Sequence, residues 1–175
     1  IADRFEHLNK GLRDLLISDP DARFEDLLIR TTALASADWE ASKSGLRKLK
    51  AEHPDAVVVA YVNTSADIKA ETDVCCTSSN AVQIVERFPK GQKIIFVPDR
   101  NLGDYVARRT GREETMILWK GWCHVHDDFR AAEIERIRAA NPGSVLMAHP
   151  ESRREVLEIA DVVTSTSGML RYPQA

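Results

Sequence analysis

The densest chemistry in the sequence lies in Gly121–Phe129, Gly-Trp-Cys-His-Val-His-Asp-Asp-Phe. It follows an apolar run, Thr115–Trp119, that reads as a strand, and precedes an amphipathic pattern that predicts a helix starting near Asp127. A thiol and two imidazoles therefore stand where a strand ends, the position at which α/β sheets hold their ligands. A thiolate at Cys123 favours iron–sulfur, zinc or copper(I). A small, inert, buried cysteine is the plain alternative. His124 and His126 supply further donors for a zinc site, but the sequence shows no fourth ligand at the spacing of a closed site.

The same positions on the other apolar runs collect more polar groups. They are Asn63, Thr64 and Ser65; Thr77, Ser78 and Asn80; Asp99; His149 and Glu151; and Ser165, Thr166 and Ser167. Ser, Thr and Asn at helix starts either cap free N–H groups or leave them to bind carboxylate and phosphate. His149 and Glu151 offer a proton donor and acceptor or metal ligands, against the plainer reading of a surface His-Pro turn. Tyr61 is either a hydroxyl donor to a substrate oxygen or an amphipathic core residue. Asp99 reads as a helix cap. Cys75 and Cys76 alternate across a strand, cannot both face one metal, and read as small buried residues. His7 and His53 read as surface residues.

The elements that must position these groups follow from periodicity. Helical spacing predicts helices over 4–18, 21–34 and 37–52, the first two without a chemical motif. From residue 56 onward short apolar runs alternate with short helices. The runs are 56–62, 73–76, 93–97, 115–119, 144–148 and 161–165; the helices are 66–71, 80–88, 102–110, 127–140 and 152–159. Such alternation indicates parallel strands buried on both faces, with right-handed crossovers in three layers.

The pattern repeats. Val57–Asn63 overlays Val145–Glu151 at an offset of 88 (149 − 61), and the same shift carries Thr72-Asp73-Val74 onto Ala160-Asp161-Val162 and Thr77-Ser78 onto Ser165-Thr166. A gapless match of this kind points to duplication. The shift sends Cys123 to residue 35, an alanine, so the first repeat supplies no second thiolate. The organisation expected is a helical segment at 1–36, an α/β unit at 37–122 and a second at 123–175 that reads as incomplete soon after its second strand.

Bulk properties narrow the class. The 175 residues suit one domain or slightly more, and 43% hydrophobic with 29% charged residues is ordinary globular composition. A net charge of -3 with dispersed Lys and Arg argues against nucleic acid as the main partner. No apolar run approaches the roughly 20 residues that span a bilayer, and no basic-then-apolar leader opens the sequence. Three cysteines make no secreted disulfide framework, so a reducing cytoplasm is expected.

Taken together, several segments resemble quinolinate synthase, the iron–sulfur dehydratase of NAD biosynthesis. They are Ala60–Ala66, Asp73–Ala81, Val97–Gly103, Trp119–His126, His149–Glu151 and Ser165–Gly168, in order across about residues 37–169. The resemblance implies α/β units in pseudo-threefold arrangement around a [4Fe–4S] cluster, each giving one cysteine, with an open iron as Lewis acid. It implies condensation of iminoaspartate with dihydroxyacetone phosphate to quinolinate. Cys123 is then a cluster ligand, Tyr61, His149 and Glu151 contact substrate and move protons, and Asn63 also contacts it. Ser78 and Thr166 hold phosphate or carboxylates. The family's first cluster cysteine belongs near residues 33–36, where this sequence has Ala-Leu-Ala-Ser, and its third in a C-terminal stretch not found here. Two alternatives follow: a non-catalytic module binding a dicarboxylate or phosphate at its Ser/Thr-rich helix starts, or an assembly, as a homo-oligomer or with a partner chain, that brings the missing ligands.

Overall fold

The computed structural model describes residues 39–172, so the helices expected over 4–18 and 21–34 lie outside the described residues. The described chain opens with α1 (Trp39–Glu52), β1 (Val57–Tyr61), α2 (Ala66–Ala70), β2 (Val74–Cys76) and α3 (Ala81–Glu86). There follow β3 (Ile94–Val97), α4 (Arg100–Thr110) and β4 (Met116–Leu118). The four strands form one parallel sheet in the order β2-β1-β3-β4.

Continuous apolar strands reflect burial on both faces. Val58, Ala60, Ile95 and Val97 pack with Leu46 of α1 and Ile68 of α2. Val59, Tyr61, Ile94 and Phe96, one residue out of phase, face Val85 of α3 and Leu102 and Val106 of α4. Because side chains alternate along a strand, a run with no polar residue fills two cores at once. The result is the expected three-layer α/β arrangement. The chain leaves β1 for β2 on one side and reaches β3 on the other, so the crevice at the carboxyl ends of β1 and β3 is a topological switch point.

The second half carries α5 (His124–Asp127), α6 (Ala131–Ala140), β5 (Met147–Ala148), α7 (Arg154–Ile159), β6 (Val162–Val163) and α8 (Thr166–Arg171). Its parallel pair repeats the first unit in register: Val59 and Ala60 oppose Val74 and Cys75, and Met147 and Ala148 oppose Val162 and Val163. Asp73 Oδ2 accepts from Val58 N at 2.7 Å, and Asp161 Oδ2 accepts from Leu146 N at 2.8 Å. Each of these pairs differs by the same 88 positions. A small core of Ala148, Val156 and Leu157, extended by Tyr105 of α4, seats the second unit on the first.

Three sequence expectations change. The single helix over 127–140 is two, because Asp127 is buried as the last residue of α5 and the chain turns before Ala131. The strand over 144–148 shortens to two residues, with Leu146 bonded through its N–H to the Asp161 side chain. Cys76 is buried but Cys75 is exposed, because β2 is the edge strand and Cys75 points away from the core that holds Cys76.

Candidate functional site

Four chain segments converge at the carboxyl ends of the strands. β1 ends in Tyr61, followed by Asn63; Ser78 follows β2; Cys123 and His126 open α5 beyond β4; His149 and Glu151 follow β5. Local chemistry fixes each arrival. Asp99, just after β3, accepts from Leu102 N at 2.7 Å as the cap of α4, and its other oxygen accepts from Cys123 N at 2.7 Å. One buried carboxylate thus ties the start of α4 to the start of α5. Gly121 passes beside Pro98, where an added Cβ would stand 2.5 Å from the Pro98 carbonyl oxygen. That approach belongs to glycine, and it lets Asp99 and Gly121 pair as parallel backbone.

Glu151 is the centre. Its Oε2 lies 3.3 Å from the Tyr61 hydroxyl, which donates to it and accepts from Asn63 Nδ2 at 2.9 Å. It lies 3.1 Å from His149 Nδ1 and 3.6 Å from His126 Nδ1. His149 Nε2 is 3.1 Å from Ser78 Oγ. The two imidazoles stack, centroids 4.6 Å apart and planes 19° from parallel. Cys123 Sγ stands 3.2 Å from His126 Nδ1. Tyr61, His149 and Glu151 are all buried.

Burial sets the electrostatics. It pushes the Tyr61 hydroxyl well above the usual phenol range, with the Glu151 carboxylate adding to the rise, so this hydroxyl keeps its proton. Burial also raises the Cys123 thiol and lowers His126, the latter against the pull of Glu151. Asp99 is pushed up to about 7, chiefly by burial; the Leu102 N–H opposes this, Glu151 adds to it, and the Cys123 N–H opposes it again. At neutral pH the site therefore holds a protonated tyrosine and a neutral His126. Ser78, His149, Glu151 and Tyr61 thus form one continuous polar line through the cleft.

A supporting clamp was not legible as chemistry. Arg153 donates to Asp127 Oδ2 at 2.5 Å and to the Asp127 carbonyl at 2.7 Å. Asn101 Nδ2 is shared between Asp127 Oδ1 and the Glu151 carbonyl, 3.0 Å from each. Asp127 is held below the usual carboxylate range: burial opposes this, but the Asn101 and Arg153 hydrogen bonds outweigh it. These residues lock α4, α5 and the turn carrying Glu151. The signal lay in the repeat: Arg153 stands where the first unit has Ser65, the N-cap of α2. A departure from the duplicated pattern marks the residue that was re-employed.

Of the seven residues to which the resemblance gives roles, the structure brings six together: Tyr61, Asn63, Ser78, Cys123, His149 and Glu151. Thr166 begins α8 on the exposed surface, and among the described residues no hydrogen bond joins it to the cluster. His126, weighed in sequence only beside Cys123, is in the centre of the set; His124 is not one of its donors.

Comparison with known proteins points to one family. The family model for the quinolinate synthetase A protein matches residues 27–175. The quinolinate synthase of Desulforudis audaxviator is 51% identical over 132 residues, covering 75% of this chain and 43% of that protein. That of Chloroherpeton thalassium is 51% identical over 129 residues, 74% of this chain and 39% of its own. That of Methanoregula boonei is 49% identical over 129 residues, covering 74% and 42%. The chain thus spans about two fifths of the length of the curated relatives it matches.

Proposed function

The chain belongs to the quinolinate synthetase A family, and we propose that it serves the condensation of iminoaspartate with dihydroxyacetone phosphate to quinolinate, in NAD biosynthesis and in the cytoplasm. The observation that carries this reading is the meeting of Tyr61 and Asn63 from one repeat with His149 and Glu151 from the other around a single carboxylate oxygen. Tyr61 donates its retained proton to a substrate oxygen. The His149–Glu151 pair takes a proton from carbon or nitrogen and returns it, with Ser78 at the other imidazole nitrogen. Asn63 orients the tyrosine and Ser78 hydrogen-bonds a substrate carboxylate or phosphate. Thr166 carries the same anion-holding role by analogy with Ser78, its repeat equivalent.

The cofactor of this reading is a [4Fe–4S] cluster, which is held by cysteine thiolates and supplies an open iron as Lewis acid. The sequence has three cysteines, and Cys75 and Cys76 sit on β2, at the opposite edge of the sheet from β4. Cys123 is the one thiol at the site. These residues do not by themselves fit a cubane, so a cluster here needs thiolates beyond this one, from residues beyond this sequence, from further copies in a homo-oligomer or from a partner chain. The binding-module alternative has less support: Ser65 and Ser165 already accept from Ile68 N and Gly168 N as helix caps.

The test is anaerobic reconstitution with iron and sulfide, comparing the parent with Cys123→Ser. About four iron and four sulfide per assembled cluster, shared among the chains that hold it and lost in the variant, are expected. No stoichiometric iron in either protein overturns the reading for this chain.

A further inference from the structure

Where α4 meets α7 at the end of β4 lies a cavity of about 340 Å³ that none of the cleft's side chains lines. Arg100 and Asp104 of α4, Arg154 and Glu155 of α7, Arg153 just before α7 and Leu118 of β4 all border it. Ion pairing around this wall does not balance. Asp104 is matched by Arg108 at 2.9 Å, and Arg154 by Glu158 at 2.8 Å. Arg153 is committed to Asp127, through Nε on its carbonyl and Nη2 on its carboxylate. Arg100 reaches that same carboxylate only at 3.5 Å, a second guanidinium on one negative charge. Glu155 meets only the committed Arg153, at 3.9 Å, and no ion pair joins Arg100 to Glu155 among the described residues. One positive charge from α4 and one negative charge from α7 are thus left bordering the same space. We propose that this cavity binds an amino-acid zwitterion, its carboxylate on the Arg100 guanidinium and its ammonium on Glu155.

The chemistry of the wall favours such a ligand over a simple ion. A guanidinium presents a planar fork that matches a carboxylate, and charge-assisted hydrogen bonds of this kind are about twice as strong as neutral ones. The Arg100 guanidinium carbon lies 4.5 Å from the centre of the Trp122 ring, and a stacked guanidinium keeps the N–H groups at its edge for a ligand. Leu118 and the aliphatic arginine stems offer apolar wall to a side chain. A lone anion or a lone cation gains one charged partner and is set against the other, so the pair selects a molecule that carries both signs. The site adjoins the clamp, because Asn101, which donates to the Glu151 carbonyl at 3.0 Å, also lines the cavity. The inference rests on no step of the proposed condensation.

An amide-shift NMR titration of the metal-free chain with L-leucine tests it, without iron, sulfide or substrate. Arg100 and Glu155 are both about half exposed, so saturable binding near about 1 mM is expected. N-acetyl-L-leucine lacks the cation and L-leucinamide lacks the anion, and each should bind at least about 10-fold more weakly. Arg100→Gln and Glu155→Gln should weaken L-leucine by a similar factor, whereas Asp104→Asn, whose carboxylate already has Arg108, should not. Both charge-removing substitutions lie on half-exposed side chains, and unchanged amide shifts away from the cavity confirm that the variants fold. Inorganic phosphate or N-acetyl-L-leucine bound as tightly as L-leucine would mark a plain anion site and overturn the proposal. So would unchanged affinity in Arg100→Gln and Glu155→Gln, or no saturable binding up to about 10 mM. A chain that binds L-leucine this way but builds no cluster keeps this inference and loses the condensation reading; a cluster without L-leucine binding does the reverse.

Discussion

Asp99 is a carboxylate that the fold holds at a cost, and the cost can be measured. It is 3% exposed, and its pKa is raised from 3.8 to about 7. A group whose folded pKa is raised keeps its proton in the native state after the unfolded chain has released it. Between those two pH values the native state binds more protons, so unfolding free energy falls as pH rises. The gap converts to about 4 kcal/mol, fully in hand below pH 4 and lost by pH 8. Asp99→Asn imitates the protonated carboxyl and removes the titration. It keeps one acceptor oxygen for Leu102 N and Cys123 N, and the other N–H then costs about 1–3 kcal/mol at every pH. Chemical unfolding of metal-free parent and variant at a series of pH values should show the variant gaining on the parent by up to about 4 kcal/mol from pH 4 to pH 8. In melting temperature this is roughly 10 °C for a chain of this size. Parallel curves across that range would refute the reasoning, because they would mean that burial of Asp99 leaves its proton affinity unchanged.

Two further outcomes are expected. Asp127→Ala leaves the Arg153 guanidinium without its carboxylate and should destabilise the chain by about 3 kcal/mol, read by guanidinium unfolding, with a larger loss than Asp128→Ala. In an alkaline absorbance titration one of the three tyrosines should remain un-ionised beyond pH 11, and Tyr61→Phe should remove that fraction and leave the others unchanged.

Much of the sheet was legible because its strands have no polar side to hide. Val57–Tyr61 and Ile94–Val97 are apolar at every position, and only burial on both faces uses such a run. The duplication was legible through Asp73 and Asp161, whose side chains perform the same backbone bond in each unit. What stayed hidden were contacts made by distant residues of unremarkable type. Asp127 looked like a helix start until Arg153 and Asn101 drew it inward. Cys123 and His126 lacked a buried partner until Glu151 came from another strand end. Cys75 looked buried because its neighbours were apolar, and only the place of β2 at the sheet edge exposes it.

The contact between Ser78 and His149 has a direction. Ser78 reaches from the first unit to the second, and its equivalent in the second unit, Thr166, faces solvent. The two units therefore do not meet face to face about a two-fold axis, where each would give and receive the same group. They meet head to tail, and such contacts are polar: one unit offers a hydroxyl, the next an imidazole. A row of such units makes one fewer site than it has members, and two units make one. The cleft is thus completed at the junction: the second unit brings Cys123, His126, His149 and Glu151, and only the first can add Tyr61, Asn63 and Ser78.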